Sequence, residues 1–114
     1  MRYTFRCRGH QNIKALHPRT VEFTRDEHLT ERGVQKKVRI IVEVDGLTDR
    51  FKAYVNPHFD HDREMVLRKS RYRSPRTFAT DLNRGSNKLD RRIVELMRDP
   101  LKIMTVTIES MGKG

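Results

Sequence analysis

Residues 38–55 read VRIIVEVDGLTDRFKAYV, and this stretch decides the fold class. Apolar side chains occupy alternate positions on both sides of a central Asp-Gly pair, which is the period of a strand with one buried face. Asp45 and Gly46 stand where a two-residue type I′ turn requires positive φ. The stretch therefore predicts an antiparallel hairpin. Its buried positions are Val38, Ile40, Val42, Val44, Phe51, Ala53 and Val55.

Further strands are predicted outward from this hairpin, towards both ends of the chain. Apolar alternation predicts a first and a last strand at Tyr3, Phe5 and Cys7 and at Met104, Val106 and Ile108. Residues 13–23 are predicted to be extended. Because proline donates no ladder hydrogen bond, Pro18 places this stretch at a sheet edge or in a bend. Residues 65–67 predict a strand, residues 26–33 a turn, and residues 77–82 a short helix or an irregular crossing.

One helix is predicted over residues 89–98, where apolar side chains recur at helical spacing. Ser86 or Asn87 caps its start, and Pro100 ends it. The fold class is therefore α+β, a small strand-rich domain with a mainly antiparallel sheet or partly open barrel and one main C-terminal helix. Residues 1–114 are expected to form a single domain, given the usual size of domains.

The composition is strongly basic, with 25 Lys and Arg against 15 Asp and Glu and a formal charge of +10. Such an excess attracts polyanions, but it does not separate RNA or DNA from an anionic membrane surface or a phosphorylated metabolite. A charge-rich surface of ion-pair networks, as in heat-adapted proteins, is the alternative. Cys7 is the single cysteine, so no intramolecular disulfide forms, and a buried, inert thiol in a reducing compartment is expected. No apolar run approaches the ~20 residues of a membrane span, so we expect a cytoplasmic protein without a membrane partner.

Two groups of segments resemble a known family over most of the chain. The first reads GHQNIKALH at residues 9–17, TVEFT at 20–24 and LTERG at 29–33; the second reads RTFA at 76–79 and LDRRIV at 89–94. Together they are similar to an archaeal family, the domain of unknown function number three hundred and seventy-one. The resemblance implies an archaeal source and a compact strand-rich fold, and it brings no activity. The chain departs from the family pattern in two places. The pattern has an acid where this chain has Val34, and it has a run of small residues where this chain reads NRGSNK at residues 83–88. If that acid carries chemistry in relatives, this chain lacks it.

A polar cluster between residues 10 and 24 is the first candidate site. Thr20, Glu22 and Thr24 share one face of an extended chain, opposite Val21 and Phe23, and are suited to lining a polar pocket. The histidines on the same stretch are suited to acid–base work or phosphate binding. The candidate catalytic residues are His10, His17 and Glu22, with Asn12 beside them. The alternative is a solvated strand face with ordinary surface histidines.

The stretch HFDHD at residues 58–62 combines metal-ligand side chains, but no complementary ligand pair stands elsewhere in the chain. An ordinary polar loop is the favoured interpretation. We therefore expect no structural metal at His58, Asp60, His61 or Asp62, and no cofactor.

The stretch RKSRYRSPR at residues 68–76 has five positive charges and no acid. Arginines around an aromatic ring suit a groove in which guanidinium groups hold phosphates and the ring stacks on a base. The alternative is a solvated face whose arginine stems cover apolar surface. The predicted anion-binding residues are Arg68, Lys69, Arg71, Tyr72, Arg73, Arg76, Arg84, Arg91 and Arg92, with Lys88 adding charge nearby.

The sequence thus favours a module that binds RNA or DNA. The alternative is an enzyme for a phosphorylated or otherwise anionic small molecule, in which Arg76 and Arg84 hold the anion and His10, His17 and Glu22 do acid–base work. A protein adaptor within a ribonucleoprotein is a third hypothesis. A pocket that joins His17, Glu22 and an arginine favours the enzyme, whereas a flat basic face with an exposed Tyr72 favours nucleic acid. The oligomeric state is not predicted.

Overall fold

Seven strands form one mostly antiparallel sheet in the computed structural model, which describes residues 2–11, 13–24, 37–60 and 63–111. The strands are β1 (Arg2–Arg8), β2 (Thr20–Thr24), β3 (Lys37–Val44), β4 (Leu47–Val55), β5 (Glu64–Arg68), β6 (Thr77–Thr80) and β7 (Ile103–Ser110). Their order across the sheet is β1-β7-β3-β4-β6-β5-β2. Only β5 and β6 pair in parallel among these strands.

The predicted hairpin is confirmed as β3 and β4. Asp45 has a φ of 51° and Gly46 a φ of 82°, as a type I′ turn requires. All seven predicted inward side chains are buried in the core, where the inward side chains of β1, β2, β5 and β7 join them. The predicted strands near both termini and at residues 65–67 are confirmed as well.

The two edge strands of the sheet, β1 and β2, approach each other without adjoining in the hydrogen-bonded order. They meet where the rings of Phe5 and Phe23 pack edge to face, with centroids 6.0 Å apart. Pro18 lies in a bend two residues before the edge strand β2, so the predicted bend is confirmed. The gap between β1 and β2 is called the seam below.

The prediction of a short helix or an irregular crossing at residues 77–82 is wrong, because Thr77–Thr80 is a strand, β6. β6 lies between β4 and β5, and all four of its residues are buried. A strand that is covered on both faces shows no alternation of polar and apolar residues, so the period-two signal was absent.

The predicted helix exists but is shorter than the sequence indicates. A 3-10 turn covers Ser86–Lys88, and the helix α1 covers Arg91–Leu96. The cap is Asp90, whose carboxylate accepts a hydrogen bond from the Arg92 backbone N–H, and not Ser86 or Asn87. β7 follows the helix, so α1 is not the C-terminal element. Ile93 and Met97 of this region are buried in the core.

The loop after β1 is bound closely to the region around α1. The Gly9 N–H donates to the Lys102 carbonyl at 2.9 Å, and the His10 N–H donates to the Met97 carbonyl at 2.8 Å. A Cβ at Gly9 would collide with the Asp99 carbonyl, which explains the glycine. The predicted turn over residues 26–33 and Val34 lie outside the described residues. In the part of the chain that is described, no helix is long and apolar enough to span a bilayer.

Candidate functional site

The Arg-rich segment has acidic partners that come from elsewhere in the chain. The Arg71 guanidinium lies 3.2 Å from a carboxylate oxygen of Asp81, although 89% of the Arg71 side chain is exposed. Arg76 lies 2.9 Å from Glu64 and 3.8 Å from Glu22. The hydrogen bond to Glu64, with the charge of Glu22, raises the pKa of Arg76. The absence of acids within residues 68–76 therefore did not mean that these arginines lack partners.

Tyr72 presents its ring to solvent beside Arg68. The ring is 61% exposed, and the Arg68 guanidinium carbon lies 4.9 Å from its centroid. Arg68 also donates from Nε to the Thr77 hydroxyl at 2.8 Å, which fixes the guanidinium over the ring. Lys69 and Arg73 are exposed in the same segment. An exposed aromatic ring beside positive charges is typical of surfaces on which bases stack.

Arg84 is directed into the protein and not towards a ligand. Its guanidinium donates to Asp49 at 2.7 Å and to the Arg50 carbonyl, and it packs over the Phe51 ring at 4.7 Å. The side chain is 31% exposed. Asp49 also accepts a hydrogen bond from the Asp90 N–H at 2.9 Å, so this pair connects β4 to the start of α1.

Arg91 and Arg92 also bind groups of the protein itself. Arg91 donates to four backbone carbonyls, those of Lys14, Ala15, Ser86 and Leu89. Arg92 pairs with Asp90 at 2.8 Å. Its hydrogen bonds lower the pKa of Asp90, and the same contact raises the pKa of Arg92. These two residues and Arg84 form a group that is called the helix-side arginines below.

A basic surface that the sequence analysis missed lies on the outer side of β3 and β4. Arg39 of β3 stands opposite Lys52 of β4, and Ile41 stands opposite Arg50. Lys37 stands opposite Tyr54. Because alternate residues of a strand share a face, the same alternation that predicts the core also assigns these side chains to the outside. The charged residues at the alternate positions of β3 and β4 could therefore have identified this surface from the sequence.

The acids on and beside this outer side are already bound within the protein, Asp81 by Arg71. Glu109 of β7 pairs with Arg39 at 3.1 Å, and Glu43 accepts a hydrogen bond from the Gly46 N–H at 3.1 Å. Within the described part of the chain, Lys37, Arg50 and Lys52 have no ion-pair partner. A positive charge therefore remains uncompensated along β4.

Tyr54 connects this row of charges to the Arg-rich segment. It is 39% exposed and lines a surface depression of about 810 Å³ together with Arg71, Arg73, Thr80 and Asp81. The outer basic face is defined here as the surface that joins β3 and β4 to this segment. Its members are Lys37, Arg50, Lys52, Tyr54, Arg71 and Arg73.

A cleft of about 740 Å³ opens at the seam and gathers the predicted catalytic residues. His10, His17, Thr20 and Glu22 all line it. Arg76 and Arg84, which the enzyme hypothesis assigned to the anion, are not among its described lining residues; Arg8, Lys14 and Arg63 are. Asn12 and the side chain of Thr24 lie outside the description. Enzyme activity stays a prediction.

His17 has a defined hydrogen-bonding role at this cleft. Its Nδ1 accepts a hydrogen bond from the Arg19 N–H at 3.1 Å, so the neutral ring carries its proton on Nε2. Its backbone N–H and carbonyl both bond to the Ser86 hydroxyl at 3.1 Å. Nε2 of His17 therefore carries a proton and is a hydrogen-bond donor at this cleft.

The segment at residues 58–62 is described only in part. His58 and Asp60 are exposed, while His61 and Asp62 lie outside the description. The His58 N–H donates to the Asn56 side chain, and the Asp60 N–H donates to the Pro75 carbonyl. No group of three or more ligand side chains that suits a metal occurs among the residues that are described. The expectation of no metal here stays a prediction.

Comparisons with known proteins agree with the resemblance seen in the sequence. The family model described as "Domain of unknown function (DUF371)" matches residues 5–35 and 34–111. A curated protein of Methanocaldococcus jannaschii, described as "Uncharacterized protein MJ0206", is 26% identical over 125 residues. The alignment covers 87% of this chain and 93% of that protein.

Proposed function

This chain belongs to the family described as Domain of unknown function (DUF371), and we propose that it binds single-stranded nucleic acid through the outer basic face. The observation that carries the proposal is the row of uncompensated cations on β3 and β4 beside two exposed tyrosines. Cations supply affinity for phosphates, and exposed aromatic rings supply stacking surfaces for bases.

The charge pattern on β3 and β4 supports an anionic ligand. Arg39 and Lys52 stand directly opposite each other, and like charges in that arrangement destabilise a sheet. Glu109 offsets Arg39 from the other side, whereas no described acid offsets Lys52. A phosphate above this pair is attracted by both cations, so the pair favours an anionic ligand.

The aromatic residues favour a single strand over a duplex. The Tyr54 ring lines a depression between β4 and the Arg-rich segment, where an unstacked base has room beside two arginines. Tyr72 is exposed on the same segment. Because the bases of a duplex are already stacked on one another, these rings contribute to the affinity for unpaired bases alone.

Salt-dependent binding tests the proposal. We expect fluorescence-labelled oligothymidylate or oligouridylate to bind with about five phosphate contacts, and log K then falls with log salt at a slope of about −3.5. The double variant Arg50→Gln/Lys52→Gln reduces that slope by about 1.4. The matched control Lys88→Gln/Arg98→Gln removes the same charge elsewhere and leaves the slope unchanged. No binding below about 100 μM near 50 mM salt excludes the proposal.

A further inference from the structure

We infer that the seam cleft is a binding site for a small molecule that joins an apolar body to an anionic group. The inference is independent of nucleic-acid binding, because the seam cleft and the outer basic face share no lining residue among those described. It rests on the cleft's size, its apolar interior and its cationic rim.

The cleft has the size of a small-molecule site. Its volume, about 740 Å³ in a chain of 114 residues, lies within the ~300–1,000 Å³ usual for such sites. It lies beside the seam, where β1 and β2 contact at Phe5 and Phe23 without pairing as neighbours in the sheet.

The interior of the cleft is apolar. Its walls come from side chains that also belong to the hydrophobic core, on β1, β2, β7 and the region of α1. They are Cys7, Val21, Phe23, Ile93, Met97 and Met104. An apolar body in the cleft packs against these walls, which are already buried, and each Å² of its own apolar surface that leaves water contributes ~25 cal/mol.

The rim of the cleft is cationic. Arg8, Lys14 and Arg63 line it together with two histidines, whereas Glu22 is the one acid among its described lining residues. Glu22 lies 3.8 Å from the Arg76 guanidinium, which offsets its charge. Arg8 and Arg63 also interact with other groups of the protein. The Lys14 side chain has no hydrogen-bond or ion-pair partner among the described residues, so it attracts an anionic group to the rim. Nε2 of His17 adds a hydrogen-bond donor there.

The wall between the loop and the helix region is held in place by backbone contacts. Arg91 bonds the carbonyls of Lys14 and Ala15 on one side and of Ser86 and Leu89 on the other. Ala15 has a φ of 50°, an uncommon conformation for alanine, and Arg91 fixes its carbonyl. The site is thus built before a ligand arrives, which lowers the ordering cost of binding.

Two naphthalene probes test the inference on the full chain. The protein has no tryptophan, so the fluorescence of naphthalene-2-sulfonate is measured without protein background. We expect it to bind at least ~10-fold more tightly than uncharged naphthalene-2-methanol, the effect of one charge-assisted hydrogen bond. The variant Lys14→Gln/Arg63→Gln removes this preference and leaves binding of the methanol probe unchanged.

Cys7 reports the position of the probe in the unmodified protein. It is the single cysteine and lines the cleft, and because it is only 5% exposed, iodoacetamide reaches it when the cleft wall opens briefly. A probe that binds the closed cleft makes that opening rarer. Saturating naphthalene-2-sulfonate should slow alkylation of Cys7 by iodoacetamide at least ~5-fold, with a half-effect at its dissociation constant. This measurement needs no variant, so a rim variant that fails to fold does not leave the inference untested.

The outer-face variant Arg50→Gln/Lys52→Gln separates this inference from the proposed function, since it should bind both probes as the unmodified protein does. Equal affinity for the two probes overturns the inference, as does an unchanged rate of Cys7 alkylation. If the unmodified protein binds naphthalene-2-sulfonate but no oligonucleotide, only the proposed function fails. If it binds the oligonucleotide but not naphthalene-2-sulfonate, only this inference fails.

Discussion

Arg84 and Arg50 are neighbours in space, yet their side chains have opposite roles. The Arg84 guanidinium donates to the backbone carbonyl of Arg50 and to Asp49, while the Arg50 side chain extends to solvent with no described acid beside it. The same contrast separates Arg84 and Arg91 from Lys37, Arg50 and Lys52, whereas Arg71 and Arg92 are each exposed and paired with an acid. An arginine count in a sequence therefore does not locate a binding surface. The position of the side chain on its element, and the partner that the fold supplies, decide which charges remain available.

Two of the helix-side arginines, Arg84 and Arg91, join parts of the chain that are distant in sequence. Asp49 and Arg84 are separated by 35 residues, and Arg91 reaches Lys14 and Ala15 across more than 70. Because these two guanidinium groups each bond several acceptors, they act as fixed cross-links. Arg92 differs, since among the described residues it bonds only Asp90 and its side chain is 72% exposed.

The largest expected effect is on stability, at Arg84. Arg84→Gln removes the partner of Asp49 and the donor to the Arg50 carbonyl, and a hydrogen bond to a charged group contributes about 1.5–3 kcal/mol. We expect urea unfolding to show a loss of about 2–3 kcal/mol. The control Arg50→Gln should change stability by less than about 0.5 kcal/mol, as exposed substitutions usually do. Equal losses for the two variants would contradict the comparison.

The next effect is on binding, at Tyr72. Tyr72→Ala should weaken single-strand binding by about 1–3 kcal/mol while the salt slope stays constant, because stacking and phosphate contacts are separate contributions. Fluorescence anisotropy at several salt concentrations measures both quantities. The matched control is Tyr3→Ala, which removes a ring from β1, away from the outer basic face. A reduced slope for Tyr72→Ala would show that the ring acts through the arginines and not through stacking.

A smaller effect is expected at Arg92, which the sequence assigned to the anion site. Because Arg92 is paired with Asp90, Arg92→Gln should change the salt slope of oligonucleotide binding by less than about 0.3, against about 0.7 for Arg50→Gln. An equal reduction of the slope for the two variants would show that Arg92 contacts phosphate as Arg50 does. It would contradict the distinction between the helix-side arginines and the outer basic face.

The smallest effect is a pH dependence at the start of α1. The hydrogen bonds from Arg92 lower the pKa of Asp90 in the folded state, so the carboxylate stabilises the fold above its unfolded pKa, about 3.9. That stabilisation is lost as pH falls through the lowered folded value. The stability difference between the unmodified protein and Asp90→Asn should thus shrink between about pH 5 and pH 2 in urea titrations. A constant difference would show that the charge of Asp90 does not contribute.

The sequence predicted the elements whose two faces differ. β1, β3, β4 and β7 alternate buried and exposed side chains, and each was predicted from that period. β6 was missed because both of its faces are covered. The helix boundaries shifted because Leu89 packs on the core from a turn, and this extended the apolar stripe beyond α1.

The sequence grouped candidate-site residues only where they lie close together along the chain. His10, His17 and Glu22 line one cleft because they lie on one edge strand and the chain that leads to it, and their catalytic role stays a prediction. Arg8 and Arg63 join them through the pairing of strands across the sheet, which single-segment patterns do not contain. The partners of Arg84 and Arg91 are likewise long-range, so the sequence alone did not show that these guanidinium groups bond the protein itself.

The central claim is that the outer basic face contacts phosphates while the basic residues near α1 do not. Lysine acetylation of the unmodified protein, with and without saturating oligothymidylate at about 50 mM salt, tests this within one molecule. Lys52 lies on the outer basic face and Lys88 in the 3-10 turn before α1, and both are exposed. We predict that the oligonucleotide slows acetylation of Lys52 at least ~5-fold and leaves Lys88 unchanged. Protection of Lys88 without protection of Lys52 would contradict the account.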